Sequence, residues 1–192
     1  MFLRDSLTPE AAAFLEKDRQ SNGYVMGLER AWAWRPDIAE GFVALRKQLL
    51  DGSTLTPREV ALVVCATAQA LGDSYCALAW GTRLAKVAGA DVAAGVLSGQ
   101  EPATLGEREA ALRRWTVQVV TAPSQATAPQ VEALRAAGFS EREIFEATVL
   151  VAFRLAFATV NGALGAPPDA ELIAGAPAEV RAAVTYGRPA VT

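Results

Sequence analysis

Apolar residues recur at spacings of three and four along most of the chain. This spacing places them on one face of an α-helix, and no sustained alternation of apolar and polar residues indicates a strand. The clearest helical stretches are 39–50, 60–71, 75–87, 110–120 and 144–155. The pattern predicts an all-α protein, a compact bundle of about eight to ten helices.

Signals for helix ends agree with this pattern. A Ser or Thr followed three residues later by Glu or Gln is typical of a helix start, and it occurs at Thr56, Thr104, Thr127 and Ser140. Glycines follow several of the apolar stretches, where a helix is expected to end. The sequence therefore predicts two adjacent helices, 57–71 and 74–87, joined at Gly72.

The length of 192 residues suits a single domain covering 1–192. The stretch 121–129 is rich in Ala, Pro, Ser and Thr, but it is short enough to be a loop within that domain. Residues 175–192 are expected to form a partly irregular tail with one short helix.

Composition adds an expectation about assembly. Hydrophobic residues make up 52% of the chain and charged residues 20%, which is more apolar surface than one small domain readily buries. Trp32, Trp34, Phe42 and Trp115 lie on helices of moderate polarity. We therefore expect a homo-oligomer.

Charge and hydropathy exclude other partners and locations. The net charge is −3, and no basic run could contact a phosphate backbone, so nucleic acid is not an expected partner. The first 19 residues carry too many charges for a signal peptide, and no apolar run approaches the roughly 20 residues of a membrane span. We expect a cytoplasmic protein that does not bind membranes.

The chain contains no histidine and two cysteines, Cys65 and Cys76. This excludes histidine-ligated metals and every relay built on a histidine base. The residues call for no metal and no cofactor. Chemistry would depend on carboxylates, a thiol, lysine or tyrosine.

The stretch 55–86, LTPREVALVVCATAQALGDSYCALAWGTRLAK, resembles the core of the alkylhydroperoxidase D (AhpD) / carboxymuconolactone decarboxylase superfamily. The segments 134–169 and 22–50 resemble the superfamily's peroxidase-related subgroup, so the similarity covers about 22–169. The resemblance implies an AhpD-like helical fold, self-association and thiol-dependent reduction of peroxides, an antioxidant activity. The family's helix glutamate, two cysteines and histidine fall on Ala61, Asp73, Cys76 and Trp80. One of these four family positions is retained, so the catalytic motif is degenerate.

Cys76 is the first catalytic candidate. It falls in the first turn of a predicted helix whose N-cap is Asp73 or Ser74, where free backbone amides favour a thiolate. Arg83, two turns along the same face, would add positive potential and Asp73 would oppose it. Packing as a small buried hydrophobe is the alternative for Cys76, as it is for Cys65, the candidate for a second thiol.

The remaining candidates each have a structural alternative. Glu59 is placed to cap its own helix through Thr56 or to act as a general acid or base. Tyr75, Trp80 and Trp32 could line an apolar pocket for a hydrophobic, aromatic or lactone ligand, or belong to the core. Arg154 and Asn161 lie on one face of an apolar helix, where an interhelical contact would explain both.

Two functions follow from these candidates. In the first, Cys76 reduces a small peroxide as a thiolate and is resolved by Cys65 or an external thiol. In the second, the protein is a non-redox member of the family, either a carboxymuconolactone decarboxylase-like enzyme or a small-molecule-binding protein. Its pocket would then be formed by the residues around Asp73, Tyr75, Trp80 and Arg83.

Overall fold

The computed structural model describes residues 1–5 and 8–189. These residues form helices and connecting loops, and no strand occurs among them. The α-helices are α1 (Pro9–Asn22), α2 (Glu29–Trp32), α3 (Pro36–Asp51), α4 (Pro57–Leu71), α5 (Ser74–Ala88), α6 (Ala90–Leu97), α7 (Glu107–Thr121), α8 (Ala128–Ala136), α9 (Glu141–Ala163), α10 (Ala170–Gly175) and α11 (Ala178–Ala183), with a short 3-10 helix at Pro123–Gln125. The all-α prediction is confirmed.

Helix α4 is the centre of the bundle. Every residue from Glu59 to Ala68 is buried, and the helix contacts α5, α6, α7 and α9. One apolar cluster lies between α4, α5, α6 and α11 and contains both cysteines. A second lies between α4, α7, α8 and α9, and a third joins α2 and α3 to Tyr75 of α5.

The helix starts follow the sequence signals at three of the four predicted positions. Capping boxes are present at Thr56, Thr127 and Ser140. The expectation for Thr104 was wrong, because α7 begins one residue after Gly106 and has no side-chain cap. At Gly72 the backbone φ is +68°, a left-handed conformation that ends α4 and lets α5 begin at once.

Long and short helices differ in how well the sequence indicated them. The predicted pair 57–71 and 74–87 matches α4 and α5, the latter extending one residue further. Helices α2, α10 and α11 are single turns or little more, too short to show a periodic pattern. The expected irregular tail contains α11 and then a non-helical segment, 184–189. The last three residues of the tail, 190–192, lie outside the described part.

The aromatic residues expected on the surface are mostly buried. Trp32 and Trp115 are each 9% exposed, and Phe42 is half-buried against Trp32 and Phe157. Each indole also has a hydrogen-bond acceptor within the protein, Asn161 for Trp32 and Thr148 for Trp115. Only Trp34 of this set is well exposed.

Gly81 of α5 is required by close packing. A Cβ atom at this position would lie 2.7 Å from Leu97 of α6 and 2.8 Å from Val180 of α11. By contrast, Gly41 of α3 has no atom within 4 Å of the same added Cβ. The two glycines therefore serve different purposes although both are within helices.

We expect Gly81→Ala to lower the free energy of unfolding by about 1–3 kcal/mol, because the added methyl group overpacks the α5–α6–α11 contact. Gly41→Ala should instead raise it by roughly 0.5–1 kcal/mol through helix propensity alone. Urea unfolding followed by circular dichroism measures both. Equal effects of the two substitutions would contradict the packing argument.

Candidate functional site

Cys76 lies in the first turn of α5, three residues after the N-cap residue Asp73. One carboxylate oxygen of Asp73, Oδ1, accepts the backbone N–H of Cys76 at 3.1 Å. The second oxygen, Oδ2, is buried without a hydrogen-bond partner among the described residues. The free amide expected to stabilise a Cys76 thiolate is thus occupied by a carboxylate.

An arginine provides the positive charge at the Cys76 sulfur. Arg154 Nη2 of α9 donates a hydrogen bond to Cys76 Sγ at 2.7 Å. The guanidinium is 3% exposed and lies against two aromatic rings, with its Cζ 5.7 Å from the Trp80 centroid and 4.9 Å from that of Phe157. Cys76, Arg154 and Trp80 therefore form one contiguous group between α5 and α9.

Opposing effects act on the ionisation of this thiol. Burial, with Cys76 4% exposed, raises its pKa to about 12, the Arg154 charge lowers it, and the Asp73 charge raises it. Desolvation is the largest of these effects. At neutral pH the closed site therefore holds mainly the protonated thiol, with Arg154 positioned to stabilise the thiolate when it forms.

Cys65 shares the apolar cluster of Cys76 but has a different environment. Its side chain is 0% exposed, on α4, and burial raises its pKa strongly. No hydrogen bond to its sulfur occurs within the part of the chain that the structure describes, and both cysteines are free thiols. The arginine contact thus distinguishes Cys76 from Cys65.

Of the three residues predicted to bind a substrate, two lie beside Arg154 and one does not. Arg83 stacks on Trp80 at 4.4 Å, so both lie beside Arg154. Tyr75 points elsewhere, because its hydroxyl donates to the Asp169 carboxylate, which also accepts the Gly27 N–H. Burial and this hydrogen bond raise the pKa of Tyr75.

Glu59 has structural contacts on both oxygens. Oε2 accepts the backbone N–H and the hydroxyl of Thr56, which completes the capping box of α4. Oε1 accepts from Arg108 Nε at 2.6 Å. Neither oxygen contacts the thiol of Cys76.

Beside the cysteine site lies an apolar cavity of about 460 Å³. Its walls include Phe14, Trp32, Phe42 and Phe157, and Phe157 is also the ring on which Arg154 lies. Glu29 is at its polar side; burial and the nearby Asp18 charge raise its pKa to about 7. Of its lining residues the sequence indicated only Trp32 as a pocket residue, because the walls come from three separate regions of the chain.

Residues 36–118, which include Asp73, Cys76 and Trp80, match the model of the carboxymuconolactone decarboxylase family. Solved structures agree with this match. An uncharacterized peroxidase-related protein with an alkylhydroperoxidase AhpD core, from Ralstonia eutropha JMP134, superposes with a TM-score of 0.75 at 25% identity, over 87% of this chain and 93% of that one.

The chain has an AhpD-like fold.

Two more distant structures share the fold of this AhpD-like protein. One is a peroxidase-related protein from Silicibacter sp. TM1040, with a TM-score of 0.75 and 21% identity over 88% of this chain and 90% of that one. The other is the debrominase Bmp8, as a cysteine-to-alanine variant in complex with 2,3,4-tribromopyrrole, with a TM-score of 0.69 and 17% identity over 95% and 93%. No curated protein sequence matches the chain significantly.

Within 1–5 and 8–189, no three or more acidic or cysteine side chains come together as a metal site would require. None of the helices described above is long and apolar enough to cross a membrane.

The AhpD-like site predicts unequal reactivity of its two thiols. In Cys65→Ser, the remaining Cys76 should be alkylated by iodoacetamide faster than Cys65 is in Cys76→Ser, because only Cys76 has a guanidinium at its sulfur. With a pKa near 12, the Cys76 rate should rise about tenfold per pH unit between about pH 7 and 10, without a plateau. Equal rates for the two variants, or a plateau below pH 9, would contradict this.

Proposed function

We propose that this AhpD-like protein is a thiol-dependent oxidoreductase that reduces a small peroxide through Cys76. The observation that carries the proposal is the hydrogen bond from Arg154 Nη2 to Cys76 Sγ. A guanidinium at 2.7 Å favours the thiolate, which is the nucleophilic form. The chain has no histidine. Arg154 would therefore stabilise the thiolate in place of the histidine of the family's proton relay.

The reaction would proceed in two balanced steps. The Cys76 thiol first loses its proton, and the thiolate attacks one peroxide oxygen. The O–O bond breaks, Cys76 becomes a sulfenic acid, and the other oxygen leaves as alkoxide and takes up a proton. A second thiol then attacks the sulfenic sulfur, which releases water and leaves a disulfide for an external thiol to reduce.

The second thiol is either Cys65 or an external one. Cys65 belongs to the same apolar cluster as Cys76, which supports an internal partner. Its complete burial requires some opening of α4 against α5 before the sulfurs meet. A small external thiol would need the same access to Cys76, so motion at the start of α5 is part of either route.

Dimedone trapping tests the proposal. After brief exposure to hydrogen peroxide, we expect a dimedone adduct on Cys76 in the wild-type protein and in Cys65→Ser, and none in Cys76→Ser. Mass spectrometry of the peptide containing Cys76 gives the result. Absence of any adduct on Cys76, under conditions that modify a reference peroxidase, would refute the thiol mechanism.

A second candidate is supported by the cavity. Its apolar walls suit a small aromatic or lactone ligand, and three of the four family positions are replaced by Ala61, Asp73 and Trp80. In this case the protein would be a non-redox binder or a decarboxylase-like enzyme. Peroxide-inert cysteines together with saturable binding of naphthol, weakened by Ala44→Trp at the cavity wall, would support it over the thiol function.

We also propose that the protein functions as a homo-oligomer in the cytoplasm, where a reducing environment keeps both thiols free. The exposed apolar side chains of α3, namely Ile38, Val43 and Leu45, are each about half exposed, and Trp34 lies just before them. Such a surface is typical of a contact between subunits. Light scattering should give a multiple of 20.2 kDa, and a monomeric mass at micromolar concentration would contradict the proposal.

A further inference from the structure

Two guanidinium groups from two helices lie over Trp80, and the charges of both act on a third arginine, Arg46. Arg83 of α5 has its Cζ 4.4 Å from the ring centroid, and Arg154 of α9 has its Cζ 5.7 Å from it. Arg46 of α3 lies one turn after Phe42, whose ring stacks on Phe157 beside Arg154. The salt bridges within the described residues include none of these three arginines.

This group of positive charges contains a buried donor without an acceptor. Arg154 is 3% exposed, and its Nε is buried with no hydrogen-bond partner in the described chain. A buried guanidinium is normally matched by an anion and fully hydrogen-bonded, because desolvating it is otherwise costly. Within the described residues the side chain of Arg154 donates its hydrogen bond to the thiol of Cys76, which carries no full negative charge in its protonated form.

The charges also act on one another. Partial desolvation of the Arg83 side chain lowers its pKa, and the Arg154 charge lowers it further. Burial likewise lowers the pKa of Arg46, followed by the charges of Arg154 and Arg83. Three like charges held together in this way form a site that is stabilised when an anion binds.

We infer that this AhpD-like site takes a substrate that carries its own carboxylate. The inference rests on the proposed function and names its substrate class, an organic hydroperoxide with a carboxylate group. The planar fork of an arginine matches a carboxylate, and the indole of Trp80 offers an apolar surface for the body of the molecule. Arg83 is exposed and Arg46 half-buried, so the carboxylate enters from their side and the peroxide is directed to Cys76.

Binding of an unreactive probe tests the site without any turnover. Calorimetry of wild-type protein with benzoate should show saturable binding, at least about tenfold tighter than that of the neutral analogue benzamide. Arg83→Gln and Arg46→Gln should each weaken benzoate binding by about tenfold. Arg19→Gln is the matched control, because Arg19 is an exposed arginine of α1 paired with Glu16, and it should leave binding unchanged.

The outcomes separate this inference from the proposed function. Equal binding of benzoate and benzamide, or benzoate binding that neither Arg83→Gln nor Arg46→Gln weakens, overturns the carboxylate site. If benzoate binds as expected but peroxide leaves Cys76 unmodified, the anion site stands and the thiol reaction fails. If Cys76 is oxidised and benzoate does not bind, the reaction stands and the substrate class is wrong.

A direct comparison of substrates completes the test. Cumene hydroperoxide and its para-carboxylate differ only in the charged group. Sulfenic acid should form on Cys76 about tenfold faster with the carboxylate than with cumene hydroperoxide. In Arg83→Gln the ratio of the two rates should fall to about one, and this ratio within each variant is the readout. No preference in the wild-type protein overturns the inference.

Discussion

Arg154→Met should reduce the alkylation rate of Cys76 at pH 8 by about 10- to 100-fold, because losing an adjacent positive charge raises a thiol pKa by roughly 1–2 units. Methionine has a similar length and is apolar, so it also removes the buried Nε that has no partner. The folded state should therefore remain intact. Iodoacetamide kinetics in a Cys65→Ser background measures the rate.

The matched control for this variant is Arg114→Met. Arg114 is an exposed arginine of α7 paired with Glu101, so its loss should not change the Cys76 rate. Circular dichroism would show that both variants are folded. If Arg154→Met reacts as fast as the wild-type protein, the guanidinium does not stabilise the thiolate and the main support for the thiol mechanism is lost.

Arg108→Met should lower the free energy of unfolding by about 3 kcal/mol, because it leaves two buried carboxylates without their cation. Arg108 of α7 donates to Glu59 of α4 at 2.6 Å and to Glu143 of α9 at 2.7 Å, and its Nη1 donates to the Gly138 carbonyl. Glu59 and Glu143 are only 4% and 9% exposed. One side chain thus joins the three central helices.

The same variant should change the acid sensitivity of the protein. Burial raises the pKa of Glu143, but hydrogen bonds from Ser140 and Arg108 outweigh it and lower the pKa to about 2 from 4.5. A carboxyl group whose pKa is lower in the folded than in the unfolded state adds to the free energy of unfolding. This contribution is complete above about pH 4.5 and is lost as the pH falls towards 2. Urea unfolding at several pH values measures this dependence. The free energy of unfolding should fall less steeply with decreasing pH in Arg108→Met than in the wild-type protein.

Arg135→Met is the control for this prediction. Arg135 also pairs with two glutamates, Glu132 and Glu141, but all three side chains are well exposed. Its removal should cost less than about 1 kcal/mol, as for other surface ion pairs. If Arg108→Met costs no more than Arg135→Met, the α4–α7–α9 contact contributes little to stability.

Local signals were sufficient to predict the helices that carry the site. The Thr56 capping box, Pro57 and Gly72 fix both ends of α4, and each acts through its own backbone neighbours. Asp73 was correctly expected as one of two N-cap candidates for α5. Helix α10 was missed, and α11 was expected only as an unplaced short helix of the tail, because both depend on packing against α5 and α6 rather than on a pattern of their own.

The chemistry of the site depends on contacts between residues far apart in the chain. The sequence placed Cys76 in a first helical turn, but it could not show that Asp73 occupies its amide or that Arg154, 78 positions away, contacts its sulfur. Arg154 was recognisable only as a polar residue on an apolar face. Nothing in the sequence indicated Arg46 as a site residue, because its proximity to Arg154 depends on how α3 packs against α9.

The segment 184–189 covers part of the cysteine cluster and is made after the helices that carry both thiols. Tyr186 packs on the cluster that contains both cysteines, and the Arg188 carbonyl accepts the Ser74 hydroxyl across 114 positions of the chain. A ribosome therefore completes α4 and α5 long before it makes the segment that covers them. Until that segment has been made and docks, the cluster that contains both cysteines lacks its contact with Tyr186.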